Sequence, residues 1–413
     1  MKRAVQRPVD GAVIPHRVWS EIDLDALARN YRRFRQTIPD DVQILVVVKA
    51  DAYGHGAVPV ARALVREGAD MLGVGDSHEA LELRLAGIRV PILILGAIIE
   101  GEIENVIAYD ITPCIHSTER VEDLQEAAAR QDKIVPVHLM VDTGMGRLGV
   151  SPAKVLELAR RIHTCSHLRL EGVATHLSSV YGASDEDRSY TEQQYRCFLE
   201  SVEGLSRLDR LRAGEPPLLV HAANSGAMYG GASPFNMVRP GNILYGLNPD
   251  EATQNDLGIE PVLALRSQVI FFKDVPAGSP ISYGRTFVTE RNTRIATLPV
   301  GYNDGFRYHL SNQSHVLIHG QPARVIGKVT MDYTMVDITD IPGVGLGDVA
   351  TIVGTDGDRR IALHDLARAI DTIPLELACG LGRRVRRVFT STTPKEQADA
   401  TSARLAGGVA APT

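Results

Sequence analysis

Between about Asp23 and Leu247 the chain alternates short apolar, often β-branched runs with longer stretches whose apolar residues recur at i, i+3 and i+4. The runs are VQILVVVKA (42–50), MLGVGD (71–76), PILILGA (91–97), ITPCIHS (111–117), VPVHLMVDTG (135–144), LEGVATHLS (170–178), LLVHAAN (218–224) and MVRPGNILYG (237–246). The segments between them, such as AVPVARALVREG, SHEALELRLAG, STERVEDLQEAAARQ and SPAKVLELARRIH, carry the helical period, and several open on a Ser or Thr suited to an N-cap. Eight strand-then-helix units describe a (β/α)8 barrel more economically than an open doubly wound sheet.

After Pro249 the texture changes. Residues 264–302 and 315–354 alternate in short strand-like runs broken by Gly, Pro and Asp, and only ALHDLARAID has a convincing helical period. The expected organisation is a loose arm over residues 1–17, an N-terminal TIM-type barrel over 18–252, a mainly β C-terminal domain over 253–390 and a disordered tail over 391–413.

Composition narrows the partners. With 44% hydrophobic and 23% charged residues among 413, the chain matches soluble globular proteins, and no apolar run approaches the roughly 20 residues of a spanning helix. A net charge of -6 gives no overall positive field for nucleic acid, which leaves a small molecule as the default partner. Cys114, Cys165, Cys197 and Cys379 stand far apart with no CxxC pair, so neither a metal nor a disulfide framework is expected. The N-terminal segment has basic residues but no apolar stretch behind them, and a cytoplasmic location is expected.

In a barrel of this kind reactive groups lie just beyond the C-terminal ends of the strands. Lys49 ends the first run, where an apolar strand favours a neutral amine able to form a Schiff base with a carbonyl cofactor. Asp142 and Arg147 follow the fifth run, His176 the sixth and His221, Asn224 and Ser225 the seventh, while Arg239 and Gly241 lie in the eighth. Backbone amides around Ser225 and Gly241 can approach a phosphate, so a phosphorylated aldehyde would satisfy both the lysine and the anion site. GMGRLG (144–149) also fits GxGxxG, with Glu171 where a ribose-binding acid could lie, but it belongs to the fifth of eight like units.

VVVKADAYGHG resembles the pyridoxal phosphate attachment motif of the alanine racemase family. The resemblance continues through VDTGMGRLGV (141–150), THL (175–177), HAANSGA (221–227), VRPGNILYG (238–246), SYGRTF (282–287), LPVGYNDG (298–305) and VTMDYTMVDIT (329–339), in family order from Trp19 to about Phe389. It implies pyridoxal 5'-phosphate held as a Schiff base on Lys49, which also serves as one acid-base group. Tyr283 is implied as the second base, reaching the site of the partner subunit in a homodimer. Arg239 matches the partner of the pyridine nitrogen; being permanently protonated, it donates to that nitrogen and leaves it without a proton. Tyr53, Asn224, Ser225, Gly241 and the backbone of Asn242 match cofactor-holding positions, and His176 matches a residue linking Arg239 to the tyrosine. Arg147, the backbone N–H of Met331, Asp332 and Tyr302 match substrate-facing positions.

Two departures bear on specificity. Met140 stands where many relatives carry a lysine that braces the arginine, and GRRVRR puts Arg383 where the family commonly has a tyrosine touching the phosphate. The expected activity is interconversion of L- and D-alanine, with a broader racemase for serine or a basic amino acid as the alternative raised by these two positions. A non-catalytic cofactor-binding barrel is disfavoured by SYGRTF in the second domain, and a dehydrogenase is more distant still.

Overall fold

The computed structural model describes residues 16–182, 184–209, 216–227, 235–247 and 256–391. The N-terminal arm, apart from its last two residues, and the expected tail beyond Ser391 lie outside them. Two compact units emerge, Met1–Ile22 with Leu263–Phe389 and Asp23–Val262 with Thr390–Thr413. The first strand, β1 (Val18–Asp23), therefore departs from the expected boundary at residue 18. It pairs antiparallel with β10 (Leu263–Gln268), Val18 opposite Ser267 and Ile22 opposite Leu263. The physical reason is its period of two: Val18, Ser20 and Ile22 are buried while the alternate residues are half-exposed, the signature of a strand in an antiparallel sheet with one covered face and not of a barrel stave.

The barrel contains all eight expected strands: β2 (Gln43–Val47), β3 (Met71–Val74), β4 (Ile92–Ile94), β5 (Thr112–Ile115), β6 (Val135–Val141), β7 (Leu168–Thr175), β8 (Leu219–His221) and β9 (Met237–Val238). They are parallel in the order β8-β7-β6-β5-β4-β3-β2-β9. The ring closes just beyond its two end strands, through a parallel bridge between Asn224 and Arg239 and a 2.9 Å hydrogen bond from the Arg239 N–H to the Ala223 carbonyl. Leu45, Val47, Met71, Leu93, Cys114, Met140, Ala174 and Met237 fill the interior, with Tyr53 packed against them. Helices over Ala57–Arg66, Ser77–Leu85, Thr118–Arg130 and Val155–His163 follow the predicted periods. Ser117 caps the third of these by accepting from the Arg120 N–H, whereas the cap of the second is Asp76, accepting from Glu79.

Directly after Lys49 the backbone turns the unexpected way. Ala50, Asp51, Ala52 and Tyr53 have φ of 53, 54, 52 and 53° with ψ of 41 to 52°, a full left-handed turn closed by the Ala52 N–H on the Val48 carbonyl at 2.9 Å. At about 1–2 kcal/mol per L-residue, four such residues cost roughly 4–8 kcal/mol, so the turn persists only because surrounding contacts fix it.

In the β unit one sheet runs Gln321–Arg324, His315–Ile318, Val349–Asp356, β10, β1, Arg386–Thr390, with Arg359–Ile361 against Val349–Asp356. Phe271–Val275, Thr293–Leu298 and Thr334–Asp337 form a second, and Pro280–Ile281 pairs with Phe287–Val288. Ile281, Ile295 and Ile326 pack together beneath them. Among the described residues no helix is long and apolar enough to cross a membrane.

Candidate active site

Lys49 follows β2, the left-handed turn follows Lys49, and that turn carries Tyr53 back over the barrel mouth. Tyr53 approaches Gly241 so closely that a Cβ added there would lie 2.7 Å from the phenol oxygen, which is why the position beyond β9 takes glycine. The ring of Tyr53 meets Tyr245 edge-on at 5.2 Å, and the Tyr245 hydroxyl is tied to the Val47 carbonyl at 3.0 Å, so β2 and the turn share one support.

Arg239 is only 4% exposed. Nη1 donates to His221 Nδ1 at 2.9 Å and to the His221 carbonyl at 2.8 Å, and Nη2 donates to the carbonyls of Thr175 at 2.7 Å and Ala222 at 3.1 Å. Those four bonds use the four Nη hydrogens, and Nε–H is the one guanidinium donor with no hydrogen bond among the described residues. Burial pushes the Arg239 pKa down to about 10, still far enough above neutrality to keep the cation. The expected link from His176 to Arg239 is replaced: His221, not His176, bonds the guanidinium, because the β8 strand end lies directly beside the barrel closure at Arg239. His176 stays close enough to feel the charges of Arg239, Arg147 and Lys49, and burial first, then those cations, push its pKa down to about 3. Neutral imidazole is therefore its form at neutral pH.

From Arg239 a buried chain of side chains descends through the barrel. His221 Nε2 lies 2.7 Å from His138 Nδ1, His138 Nε2 lies 3.4 Å from Glu171 Oε2, and Glu171 Oε1 accepts from Arg169 at 2.8 Å. Glu171 thus serves the barrel interior, not a ribose. His138 and this role of Glu171 were missed from sequence; the one visible signal was a histidine inside the apolar run VPVHLMV.

At the phosphate-sized end the expected amide of Gly241 is already used, donating to Ser225 Oγ at 2.9 Å. What remains is the Ser225 hydroxyl hydrogen and the Asn242 N–H, which has no hydrogen bond among the described residues, with the Tyr53 phenol beside Gly241 at the same corner. Asn224 supports this corner indirectly, its Oδ1 accepting from the N–H groups of Gly226 and Ala227 at 3.1 Å each. These residues fit a phosphorylated pyridine aldehyde: an amine for the carbonyl carbon, a guanidinium donor for the ring nitrogen, and hydroxyl and amide donors for the phosphate.

Arg147 sits exposed in a loop shaped by Asp142, whose Oδ1 accepts from Gly144 and Gly146 at 3.0 and 3.1 Å, and it makes no ion pair among the described residues. Met140 lies 7% exposed in the apolar barrel interior. In the β unit, Tyr283 is 75% exposed on a short turn fixed by Ser282, whose hydroxyl donates to the Lys328 carbonyl at 2.8 Å. Tyr302 and Met331 are also exposed; the Met331 carbonyl accepts from the Asn303 N–H at 3.3 Å, while its own N–H has no hydrogen bond among the described residues. Arg383 is exposed, and the neighbouring Arg384 takes a structural role. Arg384 donates through Nε to buried Asp304 at 2.6 Å and pairs with Asp332 at 2.6 Å, which binds the loops at 304, 332 and 384 together.

A (β/α)8 barrel whose strand ends gather a lysine, an arginine with one N–H to spare and a hydroxyl-and-amide cradle, followed in sequence by a β unit, defines the barrel class of pyridoxal phosphate enzymes. Residues 22–249 match the family model described as alanine racemase, N-terminal domain, and residues 262–389 match alanine racemase, C-terminal domain. An alanine racemase of Halothermothrix orenii is 40% identical over 376 residues, 90% of this chain and 96% of that one. Among solved structures, alanine racemase from Bacillus anthracis with bound L-Ala-P is 34% identical with a TM-score of 0.84, over 92% of this chain and 97% of that one. The alanine racemase of Bartonella henselae, solved with covalently bound pyridoxal phosphate, is 29% identical with a TM-score of 0.79, over 91% of this chain and all of that one (100%). The chain belongs to the alanine racemase family, pyridoxal phosphate-dependent isomerases that act as amino-acid racemases.

Proposed function

We propose that the protein interconverts L- and D-alanine by a two-base mechanism in a homodimer, with Lys49 of one subunit working opposite Tyr283 of the partner subunit. Pyridoxal phosphate, when bound, supplies a ring that delocalises the negative charge left at Cα once its proton departs. Lys49 Nζ exchanges a proton with Cα on one face, and Tyr283 Oη exchanges one on the other. The observation that carries this reading is the spare Nε–H of Arg239. A guanidinium that remains a donor throughout lends the ring nitrogen a hydrogen bond and no proton, which favours returning a proton to Cα over diverting it elsewhere.

Ser225, Tyr53 and the Asn242 N–H hold the phosphate, and Arg147 with the unused Met331 N–H orients the substrate carboxylate. Tyr283 at 75% exposure in its own chain is suited to a partner's site, which supports composite active sites. A cytoplasmic location agrees with a substrate drawn from the free amino-acid pool.

The test is isotopic. With Tyr283→Phe, deuterium wash-in from solvent should become strongly unequal between the two enantiomers, while Lys49→Ala should remove the visible absorption of the bound cofactor and nearly all turnover. Deuterium wash-in that stays equal from the two enantiomers in Tyr283→Phe would sink the two-base assignment.

A further inference from the structure

The left-handed turn after Lys49 is held by two carboxylates, and one of them spans two barrel strands. Asp51 Oδ1 accepts from the Ala57 N–H at 2.7 Å, closing the turn onto the helix that follows. Glu79 reaches across from the next unit: Oε1 accepts from the Ala50 N–H at 2.7 Å, and Oε2 accepts from the Gly75 N–H at 2.7 Å. Ala50 directly follows Lys49, and Gly75 directly follows β3. The Glu79 backbone is itself anchored, its N–H donating to Asp76 Oδ1 at 3.0 Å. A Cβ added at Gly75 would lie 3.3 Å from Glu79 Oε2 and 3.8 Å from Lys49 Cβ, so carboxylate and lysine border the same gap. At Gly96 an added Cβ would come within 2.4 Å of the Gly75 carbonyl, which leaves no side chain room to shift this rim.

We infer that Glu79 is a positioning residue for Lys49. Its carboxylate fixes the Lys49–Ala50 peptide against the end of β3, sets the direction in which the lysine leaves β2, and starts the turn that aligns Tyr53 with Gly241. Two N–H donors converge on one side chain, and each of its carboxylate oxygens accepts from one of them. A carboxamide has one accepting oxygen and presents its NH2 to the second donor. The inference rests on Lys49 being the cofactor-bearing lysine.

The experiment compares holoenzyme carrying Glu79→Gln with wild type and with Lys49→Ala. Glu79→Gln should weaken pyridoxal phosphate binding about tenfold, lower kcat/KM about ten- to hundredfold equally for both enantiomers, and shift the pH profile of the visible cofactor band. A merely structural role would lower the melting temperature and leave cofactor affinity and that pH profile at wild-type values, and this result would overturn the inference. If Lys49→Ala loses the band while Glu79→Gln behaves as wild type, only the Glu79 role fails; if Lys49→Ala keeps the band, the reading of the lysine fails and takes this inference with it. Should Glu79→Gln not fold, pairing it with Ala50→Gly relieves the backbone at the turn, and the same two readouts decide.

Discussion

Arg239 illustrates how one side chain can close a barrel and serve its chemistry together. Replacing it by lysine supplies three N–H donors for four acceptors, so at least one of the His221 Nδ1 and the His221, Thr175 and Ala222 carbonyls is left unpaired. Arg239→Lys should therefore destabilise the barrel by about 1–3 kcal/mol in urea unfolding and release cofactor on dialysis. Wild-type stability with intact retention would show that the four bonds are not acting as described. Met140 gives the opposite case. Packed among Leu93, Cys114 and Ala174, it is an apolar filler, so Met140→Leu should cost less than about 1.5 kcal/mol. Met140→Lys should cost several times that by burying an ammonium, measured as the shift in the unfolding midpoint. Sequence marked Met140 as a departure but could not tell its surroundings, because which residues share a barrel layer depends on strand register and not on spacing along the chain.

At the scale of elements, the barrel strands were legible because both their faces are largely covered, which leaves apolar runs such as ILVV after Gln43. The β1 strand was harder: its alternation was present, but nothing local says that its partner lies some 245 residues away, as in Glu21 opposite Ala264. The left-handed turn was not legible at all. KADAYG contains good helix formers and ends in a single glycine, and its hand is held by contacts beyond the segment, with Glu79 on the Ala50 N–H and the Ala57 N–H on Asp51. Ala50 offers a clean test because its side chain is exposed and its size touches little. Ala50→Gly should leave stability unchanged or raise it by up to ~1 kcal/mol, the relieved strain being offset by the freer unfolded chain. Ala50→Val should destabilise by more than ~1 kcal/mol, since a β-branched residue tolerates positive φ poorly. Denaturant melts that rank valine above glycine would mean the turn is not left-handed in solution.

For the molecule as a whole, the descent from Arg239 to Glu171 fixes where protons lie. A guanidinium only donates, so His221 Nδ1 accepts and its proton is on Nε2; that proton goes to His138 Nδ1, which leaves the His138 proton on Nε2, facing Glu171. Both rings are then neutral, in agreement with pKa values pushed below the ordinary histidine range chiefly by burial, as they also are for His116 and His176. Nitrogen-15 spectra should show the Nε2–H tautomer for both His138 and His221 at neutral pH. The same shifts set an acid limit on the barrel. Each of these imidazoles has a lower pKa folded than unfolded, where it titrates near ~6.5, so below that pH the unfolded chain binds protons that the folded barrel refuses. Stability is full above about pH 6.5 and falls as pH decreases, by up to ~1.4 kcal/mol per pH unit for each histidine. Between about pH 6.5 and 4.5 few carboxylates contribute, because their unfolded values lie near ~4. Urea unfolding across that window should lose stability steeply, and His138→Gln, which removes one buried imidazole, should flatten the slope. A flat wild-type profile would mean that these histidines are charged inside the barrel, and the proton order from Arg239 downward would have to be abandoned.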